Sequence, residues 1–460
     1  MKSIKNIRNV YFLGIGGIGM SALARYFKYT GRNVAGYDRT QTALTDALRK
    51  EGIDVHFDDD IRNIPTNWNP ATTMAVYTPA LPEDHKELAW FKSQPIGLFK
   101  RAKVLGLITN DKSGIGVAGT HGKTTVSTMV SNILNKTEKG CGAFIGGISK
   151  NFGSNLLLPK SDSPWIVAEA DEFDRSFLHL NPELALITSI DADHLDIYGK
   201  KENIVESFEK YISQIKEGGK LVVKQGVEID RSKTIAEIFT YSLDEDTDFA
   251  TVKLSLNEET GFYQFDLKTP GGVIENCKMN YPGLVNVENT VGAGALAWLA
   301  GASSDEIKAG IEDYQGVARR FDIQFKSANK IYIDDYAHHP EELKAFINSV
   351  RALFADKKIT GIFQPHLYSR TQDFATEFAA SLDLLDKAVL IPLYPAREEP
   401  IPGVSSEIIF HQMKLDDKNL AEKEEALKIV QNDSNEIVLT MGAGDIDRMV
   451  KDIIELLEMQ

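Results

Sequence analysis

Short apolar runs alternate with stretches that are apolar at helical spacing from one end of this chain to the other. The first run, 10–13, leads into a glycine loop and a helical stretch over about 19–30, and the runs 33–38 and 74–77 have strand length. Short continuous apolar runs between turn signals read as strands buried on both faces. The alternation resumes at 115–118, with 126–134 apolar at helical spacing behind it, and continues through 165–170 and 184–190. Between 220 and 281 several short β-rich runs, 261–267 among them, are separated by polar turns and by Pro270, Gly271 and Gly272, which predicts a small antiparallel addition. A helix rich in alanine and glycine is expected over 291–299, and the last segment offers strands at 331–333, 359–363, 388–391 and 437–440. Such alternation predicts an α/β protein of mostly parallel sheets flanked by helices, in three segments: 1–108, 109–318 and 319–460.

Composition acts mainly by exclusion. With 66 acidic against 51 basic residues the net charge is −15, and no long basic run occurs, so neither nucleic acid nor an anionic membrane is an expected partner. No apolar stretch is long enough for a membrane span, and the basic residues 1–9 run into a strand, not into a cleavable apolar segment. Cys141 and Cys277 lie far apart without metal-type or disulfide spacing, which fits a reducing cytoplasm. The expected state is a monomer or weak homodimer.

Gly119, Thr120, His121, Gly122, Lys123, Thr124 and Thr125 join the strand 115–118 to the helix behind it. At such a turn, converging backbone N–H groups and the helix dipole favour a polyphosphate. Lys123 is expected to reach the β- and γ-phosphates and the Thr124 hydroxyl to sit on Mg²⁺. The loop is shorter than the usual form, because Val117 stands where its first glycine belongs. A second cradle, Gly14, Ile15, Gly16, Gly17, Ile18 and Gly19, follows the first strand, with Asp38 at the end of the next. Alone it suggests a nicotinamide dinucleotide. Two separate phosphate cradles point instead to two different phosphorylated ligands.

Carboxylates gather behind two central strands, as Glu169, Asp171, Glu172 and Asp174 and as Asp191, Asp193 and Asp196 with His194. Ligands collect at the carboxyl ends of parallel strands, so both clusters should lie near the Lys123 loop, with Glu169 and His194 facing Mg²⁺. In the last segment Asp334, Asp335, Tyr336, His338 and His339 follow one strand, and His366 and Arg370 follow the next. The histidine pair lacks the spacing and thiol partners of a zinc site, and these groups suit a small polar substrate, with Arg370 for a carboxylate. Arg319 and Arg320 stand at a segment boundary, either as solvated surface or as a clamp on a γ-phosphate.

In their joint order these motifs, with Gly316 to Phe321 and Gln364 to Thr371, resemble the Mur ligase family over essentially the whole chain. The resemblance implies three domains: a Rossmann-like N-terminal domain holding the UDP moiety, a central P-loop ATPase-like domain, and a Rossmann-like C-terminal domain presenting an amino acid. It implies ATP-driven ligation of L-alanine to the lactyl carboxylate of UDP-N-acetylmuramate through an acyl phosphate, in peptidoglycan precursor synthesis. On the same ground the Gly14 loop and Arg101 meet the sugar nucleotide, Asn286 and Asn289 the adenine, Arg320 the γ-phosphate, and Tyr336, His338 and Arg370 the alanine. Lys123, Glu169, His194, Arg320 and His338 become the catalytic set. Val285 and Leu367 depart from the pattern, the latter where the family often has a second arginine. Two alternatives stay open: a related ligase that attaches a recycled murein tripeptide to the same sugar nucleotide, and an NAD(P)-dependent oxidoreductase.

Overall fold

The computed structural model describes residues 4–459, except 80, 83, 161, 192–197, 244–245, 258–260 and 397. It divides into two compact units, one of 1–255, 264–280 and 288–315, the other of 256–263, 281–287 and 316–460.

The first unit opens with β1 (Asn9–Leu13), β2 (Asn33–Tyr37), β3 (Asp54–His56), β4 (Thr73–Tyr77) and β5 (Gly97–Lys100), a five-stranded sheet in the order β3-β2-β1-β4-β5. All its pairings are parallel. Every residue of β1 is buried because helices cover both faces, which is why the run is apolar throughout. The helix Ile18–Tyr29 packs Met20, Leu23, Ala24 and Phe27 inward, the spacing of one helical face.

A second sheet in the same unit is built from β6 (Ser113–Ala118), β7 (Cys141–Ser149), β8 (Ser154–Leu157), β9 (Trp165–Ala170), β10 (Leu184–Ile187), β11 (Lys220–Lys224) and β12 (Glu237–Tyr241). Its order is β12-β11-β10-β6-β9-β7-β8, so β6 runs between β9 and β10 and the order reverses around it. The strands run parallel except for the edge pair β7 and β8. One apolar core runs under both sheets, from Phe12 and Phe27 to Phe144, Ile166 and Tyr211. The antiparallel addition is narrower than expected: β11 and β12 extend the parallel sheet, and only β13 (Ala250–Asn257), β14 (Phe262–Thr269) and β15 (Gly272–Lys278) form a sheet apart. The helix expected at 291–299 spans Leu284–Leu299 and carries Asn286 and Asn289 on its first turns.

The second unit holds β16 (Asp322–Lys326), β17 (Ile331–Asp335), β18 (Ile359–Phe363), β19 (Lys387–Leu390), β20 (Lys418–Leu420) and β21 (Ile437–Met441), in the order β16-β17-β21-β18-β19-β20. All pairs are parallel except β16 with β17. The motif-bearing strands β17 and β18 are therefore not neighbours, since β21 lies between them.

Candidate active site

The Lys123 loop sits where sheet order reverses, between β6 and the helix Lys123–Lys136. Gly119 at φ +135° lies so close to β10 that a Cβ would fall 1.9 Å from Thr188 Oγ1, and Gly122 at φ +79° caps the helix. Neither conformation suits a residue with a side chain. The loop is tied to the end of β10, where the Thr120 N–H donates to the Ser189 carbonyl at 3.1 Å and the His121 N–H to Ser189 Oγ at 3.0 Å. β10 ends at Ile187, short of residue 190. A Cβ on Gly122 would lie 2.9 Å from Asn289 Oδ1, so the Asn289 amide packs on the loop. Asn286 is buried, with Nδ2 donating to the Pro282 carbonyl at 2.6 Å.

The structure adds a residue that motif reading missed. Lys123 Nζ donates to the Gly119 carbonyl at 2.7 Å and to Glu172, whose side chain is 1% exposed. Burial alone pulls the Lys123 ammonium down, but Glu172, Asp171 and Glu169 together outweigh it and hold the charge on. Burial pushes the Glu172 carboxyl up against the attraction of Lys123. The signal was present as one acid among four between 169 and 174, and nothing in that run ranks its members.

Glu169 lies inside β9 and not beyond it, and its Oε2 accepts from the Thr124 hydroxyl at 2.9 Å and from the Gly146 N–H at 3.0 Å. A hydroxyl and a carboxylate are thus paired where the loop turns into its helix, a hard-oxygen donor set that suits Mg²⁺. His194, the other expected metal-facing group, lies outside the described residues. Thr125 is buried in the first turn of the helix.

In the Gly14 loop the N–H groups of Gly14 and Ile15 both donate to the Tyr37 carbonyl, at 2.8 and 2.9 Å. Asp38 turns toward this loop, Oδ2 accepting from the Gly16 N–H at 2.7 Å. Gly17 precedes the helix, and a Cβ on Gly19 would fall 2.6 Å from Arg101 Nη1. Arg101 in turn lies 3.3 Å from Asp171. A cavity of about 270 Å³ opens here, walled by Gly17, Ile18, Gly19, Arg101, Glu169 and Asp171 among others. The first glycine loop and the carboxylate beside Thr124 share one chamber.

In the second unit the arginine pair is not loose surface. Arg319 meets Asp334 at 3.4 Å and Asp447 at 3.5 Å and donates to the Gly442 carbonyl at 2.6 Å. Arg319 and Arg320 each stand 5.0 Å from the ring centroid of Tyr336. Asp335 accepts from the N–H groups of Phe321 and Ala337, and burial, opposed by Arg320, raises its carboxyl to about 6. His338 Nδ1 lies 2.9 Å from the Tyr336 carbonyl and 3.2 Å from Glu342. A proton on Nδ1 serves both acceptors and leaves the Nε2 lone pair available. Although β21 intervenes, the two motifs meet at one rim, with the His338 and His366 rings 5.9 Å apart. Arg370, 8% exposed, lies in the short helix Tyr368–Asp373 that follows His366.

Three regions match models of one family: "Mur ligase family, catalytic domain" over 9–113, "Mur ligase middle domain" over 117–297, and "Mur ligase, glutamate ligase domain" over 319–444. A UDP-N-acetylmuramate–L-alanine ligase of Phocaeicola vulgatus is 47% identical over 457 residues, 99% of each chain. The chain belongs to the Mur ligase family. Among solved structures, a UDP-N-acetylmuramate-alanine ligase from Thermotoga maritima superposes with a TM-score of 0.81 at 27% identity, covering 98% of this chain and 99% of that one. A murein peptide ligase from Psychrobacter arcticus shares the Mur ligase fold, with a TM-score of 0.72 at 21% identity over 98% of both chains. Membership in the Mur ligases removes the nicotinamide reading of the Gly14 loop. No helix among the described residues is long and apolar enough to cross a membrane.

Proposed function

We propose that this chain joins L-alanine to the lactyl carboxylate of UDP-N-acetylmuramate at the expense of ATP, in peptidoglycan precursor synthesis. The observation that carries the reading is the shared chamber. A sugar nucleotide whose diphosphate rests on Gly14, Gly16, Gly17, Ile18 and Gly19, beside Asp38 and Arg101, has its acid end directed along the cavity toward Glu169, the carboxylate that holds the Thr124 hydroxyl. The names of the relatives favour alanine over a recycled tripeptide.

The chemistry follows from the leaving group. A carboxylate would have to expel oxide, so one of its oxygens first attacks the γ-phosphorus of ATP, the bond to the β-bridging oxygen breaks, and ADP departs. The alanine nitrogen then attacks the acyl carbon, the bond to phosphate breaks, and inorganic phosphate leaves. Lys123, with the N–H groups at the start of the helix Lys123–Lys136, spreads the charge of the transferring phosphoryl group, as does Arg320. Asn286 and Asn289 are assigned to adenine, and Tyr336, His338 and Arg370 to the amino acid. The proton that the amine loses is assigned to His338 Nε2.

Thr124 and Glu169, with His194, would hold Mg²⁺. When bound, that ion neutralises phosphate charge. Segments 1–108, 109–318 and 319–460 take the sugar-nucleotide, ATP and amino-acid roles. Two free thiols and nucleotide substrates favour a cytoplasmic enzyme, acting as monomer or weak homodimer.

The test is to incubate the protein with UDP-N-acetylmuramate, ATP, Mg²⁺ and one amino acid or murein tripeptide at a time, following amide mass and phosphate release. Alanine-dependent product is expected. Product from the tripeptide alone would transfer the assignment to the related ligase.

A further inference from the structure

We propose that Tyr394 and Glu398, in the segment after β19, brace the turn 366–370 and so act as positioning residues for the amino-acid site, an inference that rests on the ligase reading above. The turn contains a residue in an unfavourable conformation. Leu367 has φ +71° and ψ 136°, a region that suits glycine, and its side chain is buried. Such a conformation persists only where its surroundings over-determine it.

The surroundings that do so come from one segment. The Leu367 N–H donates to the Tyr394 carbonyl at 3.0 Å, and the Tyr394 N–H donates to the Pro365 carbonyl at 2.9 Å. The Tyr394 ring lies over the His366 ring at 13° and 5.9 Å. Glu398 accepts from the Ser369 N–H at 2.9 Å and from the Ser369 hydroxyl at 2.5 Å. Tyr394 is itself backed by Gly444, where a Cβ would fall 2.6 Å from Tyr394 Cβ. The brace therefore grips the turn on both sides of Leu367, through the His366 ring and through the residue next to Arg370.

The experiment measures kcat and the KM for alanine, ATP and UDP-N-acetylmuramate in the parent, in Glu398→Ala, in Glu398→Gln, and in Glu398→Ala combined with Leu367→Gly. Loss of a charge-assisted pair of hydrogen bonds should raise the alanine KM roughly tenfold in Glu398→Ala and less in Glu398→Gln, leaving the other two KM values near the parent's. Glycine at 367 tolerates the conformation without a brace, so the double variant should recover a large part of the loss. A common rise of all three KM values, an unchanged alanine KM, or no recovery on adding glycine would overturn the proposal. Thermal unfolding identifies a variant that does not fold, and Glu398→Gln then carries the comparison. A parent that makes no alanine amide refutes the ligase reading instead, whereas a working parent with an unmoved alanine KM refutes the brace alone.

Discussion

Lys123 Nζ stands 2.9 Å from each carboxylate oxygen of Glu172, and both side chains are largely removed from solvent. The pair stores a cation at the phosphate loop with its counter-charge already beside it. Replacing Glu172 by Gln leaves the Lys123 charge poorly compensated, and breaking a buried pair in this way costs on the order of 3 kcal/mol. Nucleotide phosphate would supply the missing anion. Glu172→Gln is therefore expected to unfold at lower temperature than the parent and to gain more stability from a non-hydrolysable ATP analogue. Equal ligand-induced shifts in parent and variant would show that the two groups do not share Lys123.

The Thr124–Glu169 pair predicts a different phenotype. Glu169→Gln keeps an oxygen acceptor for the Thr124 hydroxyl and the Gly146 N–H but loses the charge suited to a divalent cation. The Mg²⁺ concentration for half-maximal phosphate release should rise by roughly tenfold or more, the scale typical of losing a ligand or its support. An unchanged Mg²⁺ titration would place the ion elsewhere.

Gly19 and Arg101 offer a test of the sugar-nucleotide end. A methyl group at 19 would displace the flexible Arg101 guanidinium, not backbone, so the fold should survive. Gly19 is the second residue of the helix Ile18–Tyr29, a position whose backbone alanine also fits, so no loss of stability is expected. Gly19→Ala is thus expected to raise the KM for UDP-N-acetylmuramate severalfold while the ATP KM holds and the melting temperature does not fall. A matching change in both KM values would argue against Arg101 as a contact specific to the sugar nucleotide.

Parallel strands covered on both faces could be read from sequence because burial makes them continuous apolar runs: 165–170 and 359–363 coincide with β9 and β18. The strands β11 and β12 look the same whether their partners run parallel or antiparallel, and pairing across distant sequence is not written locally. The edge strand β16, Asp-Ile-Gln-Phe-Lys, offers no apolar run at all. At the site, loops with a compulsory glycine geometry stood out, whereas Glu172 differs from its acidic neighbours only in burial. Tyr394 and Glu398 reach the turn 366–370 only because β18 and β19 are neighbours in register, a relation no motif encodes.

Behind β1, Glu87 predicts a pH dependence unrelated to ligation. Its carboxylate accepts from the Tyr11 hydroxyl at 2.7 Å and lies 3.4 Å from His56 Nε2, with Asp59 accepting from its N–H. Burial raises the Glu87 carboxyl to about 7 despite the Tyr11 hydrogen bond, and burial lowers the His56 imidazole. In the unfolded chain Glu87 ionises near 4.5. Between these values the folded protein holds a proton on Glu87 that the unfolded chain has released, so the Glu87 contribution to stability falls as pH rises through the window and changes no further above it, while the lowered His56 contributes in the opposite sense in parent and variant alike. The full effect is on the order of 3 kcal/mol. Glu87→Gln mimics the protonated side chain and removes the titration. Denaturant unfolding should find the variant close to the parent at pH 5 and more stable at pH 8, and a stability difference of the same size at both pH values would mean that Glu87 is ionised throughout.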